Sequence, residues 1–320
     1  MLSTTTRVST LLKIDYPVIQ APMVWLTSAT LVAAVSEAGG LGVLGPNAGQ
    51  TTAITDPDET AERFRNEIRK TRALTCKPFA VNFLLPMKGI DISYLYAGPL
   101  LKVILEEKVG AAITVGKDIN KGLPYIRTLK DAGVTVVHRE LSPTVENARE
   151  AEAAGVDAFI ATGHEAGGHL SDYRISTLVL LPQITDALRI PVIAAGGIYN
   201  GKTAAAVRAA GAEGVYAGTR FIATHESPAA TQAKEAILNV RSQDLVEVGI
   251  PGGKARLIPL WTGDAAPNPD GIGATKIGML DGDLENGVVC VSESAGGITS
   301  ILPAKEVVQE LGRAFCNEPI

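Results

Sequence analysis

Eight short apolar runs recur along this chain, and amphipathic stretches separate them. The runs fall at 17–20, 41–44, 79–82, 111–115, 134–137, 157–161, 191–195 and 214–217. Each is too short for a helix and too uniformly apolar for a strand with one wet face. Such runs suit parallel strands buried on both faces. The intervening spacing predicts helices over 30–38, 58–72, 119–131, 144–154, 178–188 and 203–210. Four of these close on the same dipeptide: Ala38-Gly39, Ala132-Gly133, Ala154-Gly155 and Ala210-Gly211. Glycine tolerates the left-handed conformation that ends a helix, so the repeated unit is helix, Ala-Gly, strand. Eight strands with intervening helices predict an α/β fold of the (β/α)8 TIM-barrel type. A doubly wound open sheet is the competing architecture, and the strand count favours the barrel.

The rhythm breaks after Phe221. Residues 226–297 contain Pro251-Gly252-Gly253, Pro267-Asn268-Pro269-Asp270-Gly271 and Asp281-Gly282-Asp283, with one helix-like stretch at 229–239. This reads as a loop-rich cap or lid subdomain inserted after strand 8. A last amphipathic segment, 303–315, carries Val307, Val308, Leu311 and Phe315 on one face and returns to the barrel. The expected division is a barrel of 1–225 plus 298–320, and a cap of 226–297.

Composition narrows the function. With 29 Lys and Arg against 34 Asp and Glu, the net charge of −5 leaves no general basic excess for a nucleic-acid backbone. Cys76, Cys290 and Cys316 are odd in number and far apart, so neither a disulfide framework nor a metal cluster is expected. Residues 1–13 lack the apolar core of a signal peptide, and no apolar run reaches the ~18 residues of a membrane span. The expectation is a cytoplasmic protein with no membrane and no nucleic-acid partner. The 33 glycines, about a tenth of the chain against a usual ~7%, suggest tight turns or ligand sites lined by backbone.

In a barrel, ligands meet the carboxyl ends of the strands. Strand 1 ends in Gln20-Ala21-Pro22-Met23, strand 3 at Asn82 and strand 5 near His138-Arg139. Gly196-Gly197 follows strand 7, and Gly218-Thr219 follows strand 8. Paired glycine loops on the last two strands let backbone N–H groups approach an anion, which predicts a phosphate site. Strand 6 leads into His164-Glu165-Ala166-Gly167-Gly168-His169. A helical metal pair prefers i, i+4 spacing, and Gly-Gly predicts an irregular loop, so no metal is expected. His169 is the candidate catalytic base: the glycines before it allow close approach to a flat ligand, and imidazole exchanges protons near neutral pH. His138 is read equally as packing or functional, and His225 as a bystander beyond the strand ends.

Together, Tyr16 to Met23, Pro78 to Asn82, Glu165 to His169, Pro191 to Ile198 and Gly214 to Phe221 resemble the nitronate monooxygenase family, formerly called 2-nitropropane dioxygenases. Ser294 to Ile298 is a looser match. The resemblance implies a TIM barrel holding FMN, with Ala21, Pro22, Met23, Asn82, Gly167 and Gly168 along the flavin. It places Gly196, Gly197, Gly218 and Thr219 at its phosphate, and His169 at the family's catalytic base. Arg139 stands where family members often carry a basic residue. Ser171 replaces a common glycine two positions after the histidine, which changes the substrate side. The implied activity is oxidation of alkyl nitronates or nitroalkanes by O2 to a carbonyl compound and nitrite. Two alternatives compete: an NAD(P)H-dependent reductase of an enone, quinone or enoyl thioester, and a non-catalytic flavin-binding protein. Flavin-dependent enoyl-acyl-carrier-protein reductases resemble the chain through the same Glu165 to His169 segment.

Overall fold

The computed structural model describes residues 5–317, apart from 46, 53–54, 88–89, 251–252, 262 and 264–271. The loops expected at Pro251-Gly252 and Pro267 to Gly271 therefore lie outside the described residues, as does the start of the N-terminal segment.

Eight parallel strands form one sheet among the described residues. They are β1 (Val18–Gln20), β2 (Gly42–Leu44), β3 (Phe79–Leu84), β4 (Ala111–Gly116), β5 (Thr135–Glu140), β6 (Ala158–Thr162), β7 (Val192–Ala195) and β8 (Gly214–Ala217). Neighbours in sequence are neighbours in space, and β8 pairs β1 with Ile19 opposite Tyr216. A parallel bridge between Ile19 and Leu41 closes the ring between β1 and β2. The fold is a TIM barrel.

Strand parity divides the core in two. Ile19, Val43, Ala80, Ile113, Val137, Ile160, Ile193 and Tyr216 fill the barrel interior. Their neighbours Val18, Leu44, Val81, Ala112, Val136, Phe159, Val192 and Val215 face outward and pack in the helical layer. Burial on both faces explains why the runs carry no polar alternation. The helices are α1 (Arg7–Leu12), α2 (Ala29–Glu37), α3 (Pro57–Leu74), α4 (Asp91–Glu106), α5 (Ile119–Asp131), α6 (Val145–Ala153), α7 (Thr177–Ala187) and α8 (Gly201–Ala209). Gly39, Gly133, Gly155 and Gly211 all have φ between +77° and +102°, the left-handed cap that the Ala-Gly repeat predicts.

Two helices go beyond the sequence reading. Helix α4 carries Gly98 and Pro99 in its interior, residues that weaken a helical pattern locally but are overridden by burial of Ala97, Leu100, Val103 and Ile104. Helix α1, held by a reciprocal Thr6–Ser9 capping box, sends Val8 and Leu12 into the interior cluster.

The segment after β8 is more ordered than expected. It begins with short α9 (Thr219–Ile222) and contains α10 (Thr231–Asn239). It then forms an antiparallel sheet of β9 (Val246–Ile250), β10 (Gly253–Ile258) and β11 (Val289–Cys290), with β10 in the centre. The runs here are short and the pairing non-local, so local pattern does not announce them. Leu26 from the barrel joins Ile222, Ala233, Ile237, Ile258, Met279, Val289, Val291 and Ile298 in one cluster. The segment thus packs on the carboxyl face of the barrel. The closing helix Ala304–Cys316 buries Val307, Val308, Leu311 and Phe315 as its spacing predicts.

Candidate active site

A cavity of about 440 Å³ opens at the carboxyl ends of the strands. It is lined by Ala21, Pro22 and Met23 after β1, Asn82 of β3, Arg139 of β5, Gly167, Gly168 and His169 after β6, Gly196 and Gly197 after β7, and Gly218 and Thr219 after β8. All twelve residues singled out from the sequence therefore meet at one cavity.

Parity explains two of these placements. Asn82 follows Ala80, and Arg139 follows Val137, each two residues along a strand and on the interior face. Asn82 Nδ2 donates to the carbonyl of Ile113 at 3.0 Å, which leaves its amide oxygen as the acceptor on offer to a ligand. Arg139 Nε donates to Thr162 Oγ1 at 3.3 Å. The opposite parity takes His138 out of the site. It is fully buried on the outer face, 3.0 Å from Thr114 Oγ1 and 3.7 Å from the carboxylate of Glu140. His225 is exposed and does not line the cavity.

The loop after β6 is built from both sides. Glu165 accepts from the N–H and hydroxyl of Thr177 at 2.9 and 3.0 Å, tying the loop to the start of α7. His164 pairs its ring with Glu247 of β9 at 2.8 Å. Among the described residues no cluster of His, Cys, Asp or Glu could hold a metal ion. Leu170 N–H donates to Lys254 O at 2.8 Å, and His169 bridges Ala255 of β10. The His169 ring lies directly over Gly253, where an added Cβ would come within 2.5 Å of Nε2. Asp172, three residues on, accepts from Lys117 at 2.9 Å and from Ser142 at 3.1 Å. The Lys117 hydrogen bond holds its carboxyl below the ordinary range, with smaller contributions from Ser142 and from charge on His169.

The glycines at the other end of the cavity differ in what requires them. At Gly196 an added Cβ would sit 2.9 Å from Thr177 Oγ1, so packing demands glycine. At Gly218 the nearest atoms would be Ala21 and Met23 at 3.6 and 3.9 Å, and its φ of −110° suits any residue. An added side chain at 218 would thus meet no backbone obstruction, and the position lines the cavity.

Several cavity residues were not anticipated. Tyr216 faces in, and burial pushes its hydroxyl up to about 12, partly offset by Arg139, so it stays protonated at neutral pH. The inward parity of β8 was the available signal. Ile250, Ala255, Thr275, Met279, Cys290 and Ser292 come from the segment after β8, and no local pattern pointed to them. Burial pushes the Cys290 thiol up to about 11, against a weaker opposing hydrogen bond from Thr275. Arg220, next to Thr219, turns away from the cavity and holds the carbonyls of Ala223 and Ser300 at 2.6 and 2.7 Å.

A cavity assembled from six strand ends, with a histidine, an arginine and an amide in its wall, is the organisation of a barrel enzyme whose chemistry sits at the carboxyl face. Comparison with known proteins narrows the class. The nitronate monooxygenase family matches residues 5–313, and the chain belongs to that family of oxidoreductases. A probable nitronate monooxygenase of Staphylococcus haemolyticus is 34% identical over 279 residues, covering 76% of this chain and 75% of that protein. FabK from Thermotoga maritima superposes with a TM-score of 0.83 at 35% identity, covering 98% of this chain and 97% of the other. Nitroalkane oxidase from Streptomyces ansochromogenes does so with a TM-score of 0.78 at 28% identity, covering 98% and 99%. Among the described residues no helix is long and apolar enough to cross a membrane.

Proposed function

We propose that this protein oxidises alkyl nitronates, or the nitroalkanes that form them, with O2, using FMN held at the carboxyl face of the barrel. The observation that carries the reading is the convergence of twelve residues from six strand ends on one cavity with His169 in its wall. Bound FMN would supply the redox chemistry, accepting electrons from the substrate carbon and returning them to O2, so that a carbonyl compound and nitrite result.

The residues present fit such a group. Gly218 is open toward the cavity, and Gly197, at φ +74°, has only the Glu165 side chain 3.4 Å from an added Cβ. Backbone at these two loops would hold the phosphate. Thr219 Oγ1 already accepts from Ser292 N–H at 2.9 Å, so its O–H is the part left to meet a phosphate oxygen. Ala21, Pro22, Met23, Gly167 and Gly168 would lie along the flavin ring, Asn82 would hydrogen-bond it, and Arg139 would place positive charge near it. His169 would remove the Cα proton of a neutral nitroalkane, and only position a nitronate that already lacks it. Residues 226–297 would act as the cap that excludes water from this reaction, over a barrel of 1–225 and 298–320. Cys76 and Cys290 are free thiols, which suits a cytoplasmic setting.

The test is His169→Asn. Turnover of neutral nitroalkanes should fall on the order of 10²–10⁴-fold, while turnover of preformed nitronates falls far less and FMN content persists. Equal loss on both protonation states would remove the base assignment.

The 35% identity to FabK, together with the resemblance to flavin-dependent enoyl-acyl-carrier-protein reductases, favours a second reading. In it, NAD(P)H is the reductant and an enoyl thioester, enone or quinone the acceptor. Anaerobic mixing separates the two: bleaching of the flavin by NAD(P)H and not by nitronates establishes the second. Bleaching by neither would leave a flavin-binding protein without catalysis.

A further inference from the structure

Arg256 of β10 is buried at 3% exposure and points at the loop after β6. Its Nη1 donates to the carbonyls of His164 at 2.9 Å and Ala166 at 2.5 Å. Its Nη2 faces the carboxylates of Glu293 at 2.9 Å and Glu247 at 3.5 Å. One guanidinium therefore spans the loop, β9 and the stretch beyond β11. A planar fork does this where a point charge cannot.

The consequences reach the cavity. With the carbonyls of His164 and Ala166 held by Arg256, the next residues, Gly167 to His169, turn to the cavity wall. Around it, Glu293 N–H donates to Glu165 O at 3.0 Å, and Val291 N–H to Arg256 O at 3.1 Å. Without Arg256, two loop carbonyls beside the cavity would lose their donor and Glu293 its cation, while Glu247 would keep Arg174 at 2.8 Å. The loop between Glu165 and Leu170 would then keep the Glu293 and Lys254 backbone bonds and the Glu165 carboxylate's bonds to Thr177, which hold it at Glu165 and Leu170.

We propose that Arg256 is a positioning residue: it sets the His164–His169 loop against the sheet after β8 and thereby fixes the His169 ring at the cavity. Its importance for turnover rests on the reading of His169 as the base. Its structural content does not, so the primary readout is independent of activity.

The chain has four histidines, so their ring resonances are separable by NMR, and His169→Asn assigns the signal in question. In the holoenzyme, Arg256→Met should shift or broaden the His169 resonance while the His138 and His225 signals stay in place. Arg256→Lys, which keeps the charge but loses the fork, should give an intermediate displacement. Glu247→Gln should move the His164 signal and leave the His169 signal in place, because it replaces the ring's carboxylate partner with a neutral amide and leaves the Arg256–carbonyl bonds. In the same variants, kcat/KM on a neutral nitroalkane should fall on the order of 10²-fold for Met and less for Lys, with FMN retained. A His169 signal at its wild-type position in both Arg256 variants would overturn the proposal. Failure of both to fold would make Arg256 a stability determinant and overturn it equally. Absence of nitroalkane turnover in the wild type, with the resonance pattern as described, would refute the nitronate reading and leave the positioning role standing.

Discussion

Adjacent glycines in the loop after β6 allow a stringent comparison. At Gly167 an added Cβ would lie 2.6 Å from Ser292 N and from Val291 C, and 2.8 Å from Val291 O. These are backbone atoms, so they must withdraw by about 0.8 Å to reach ordinary contact near 3.4 Å. That movement strains the Ser292 N–H bond to Thr219 and the Val291 N–H bond to Arg256 O. Overpacking of about 1–3 kcal/mol and the weakening of one or two hydrogen bonds at about 1 kcal/mol each give about 2–5 kcal/mol for Gly167→Ala. Gly168 is different: nothing lies within 4 Å of its added Cβ, and its φ is +69°. Gly168→Ala costs about 1–2 kcal/mol of left-handed strain, less about 0.4–1 kcal/mol from a stiffer unfolded chain. At about 2–4 °C per kcal/mol, Gly167→Ala should lower Tm by about 4–20 °C and Gly168→Ala by a few degrees. Thermal unfolding followed by circular dichroism measures both. Because Gly167 stands two residues before His169, its variant should also lose turnover, while Gly168→Ala places a methyl in the cavity and should weaken flavin binding. A Gly167→Ala protein as stable as Gly168→Ala would refute the close approach between this loop and residues 291–292.

Three further expectations follow from the geometry. Gly197→Val should weaken FMN binding at least tenfold in a fluorescence titration, since a branched side chain at φ +74° crowds the backbone proposed to hold phosphate; unchanged affinity would reduce Gly197 to a turn residue. Iodoacetamide at pH 8 should label exposed Cys76 and spare Cys290, whose thiol is pushed up to about 11 and is therefore neutral, and peptide mapping reads the order. At Glu107, burial favours protonation, but hydrogen bonds from Arg69 and Arg65 outweigh it and hold the carboxyl below its ordinary range. Its folded pKa is depressed, so its stabilisation is present above the unfolded carboxylate pKa and lost as pH falls through the folded one. Glu107→Gln should cost about 1–3 kcal/mol at pH 7 in urea unfolding and flatten the acid limb; an unchanged limb would contradict the assignment.

What the sequence alone determined is the local repeat and what it constrains. Uniformly apolar runs and Ala-Gly stops specify parallel strands and left-handed helix caps, because burial on both faces and the steric freedom of glycine are properties of a few neighbouring residues. The strand-end position of Asn82 and the glycines after β7 and β8 were legible for the same reason. The tertiary structure decided the rest. His138 and Arg139 are adjacent in sequence, yet parity sends one into the helical layer and the other to the cavity. Arg256 is 90 residues from the Ala166 carbonyl that it holds, and no pattern in either segment announces the other. The sheet of β9, β10 and β11 gave no signal beyond loops, since its register comes from cross-strand partners far apart in the chain. Local conformational preference is written in adjacent residues. Which side chains share a cavity depends on long-range packing, whose energy is gained only once distant segments have met.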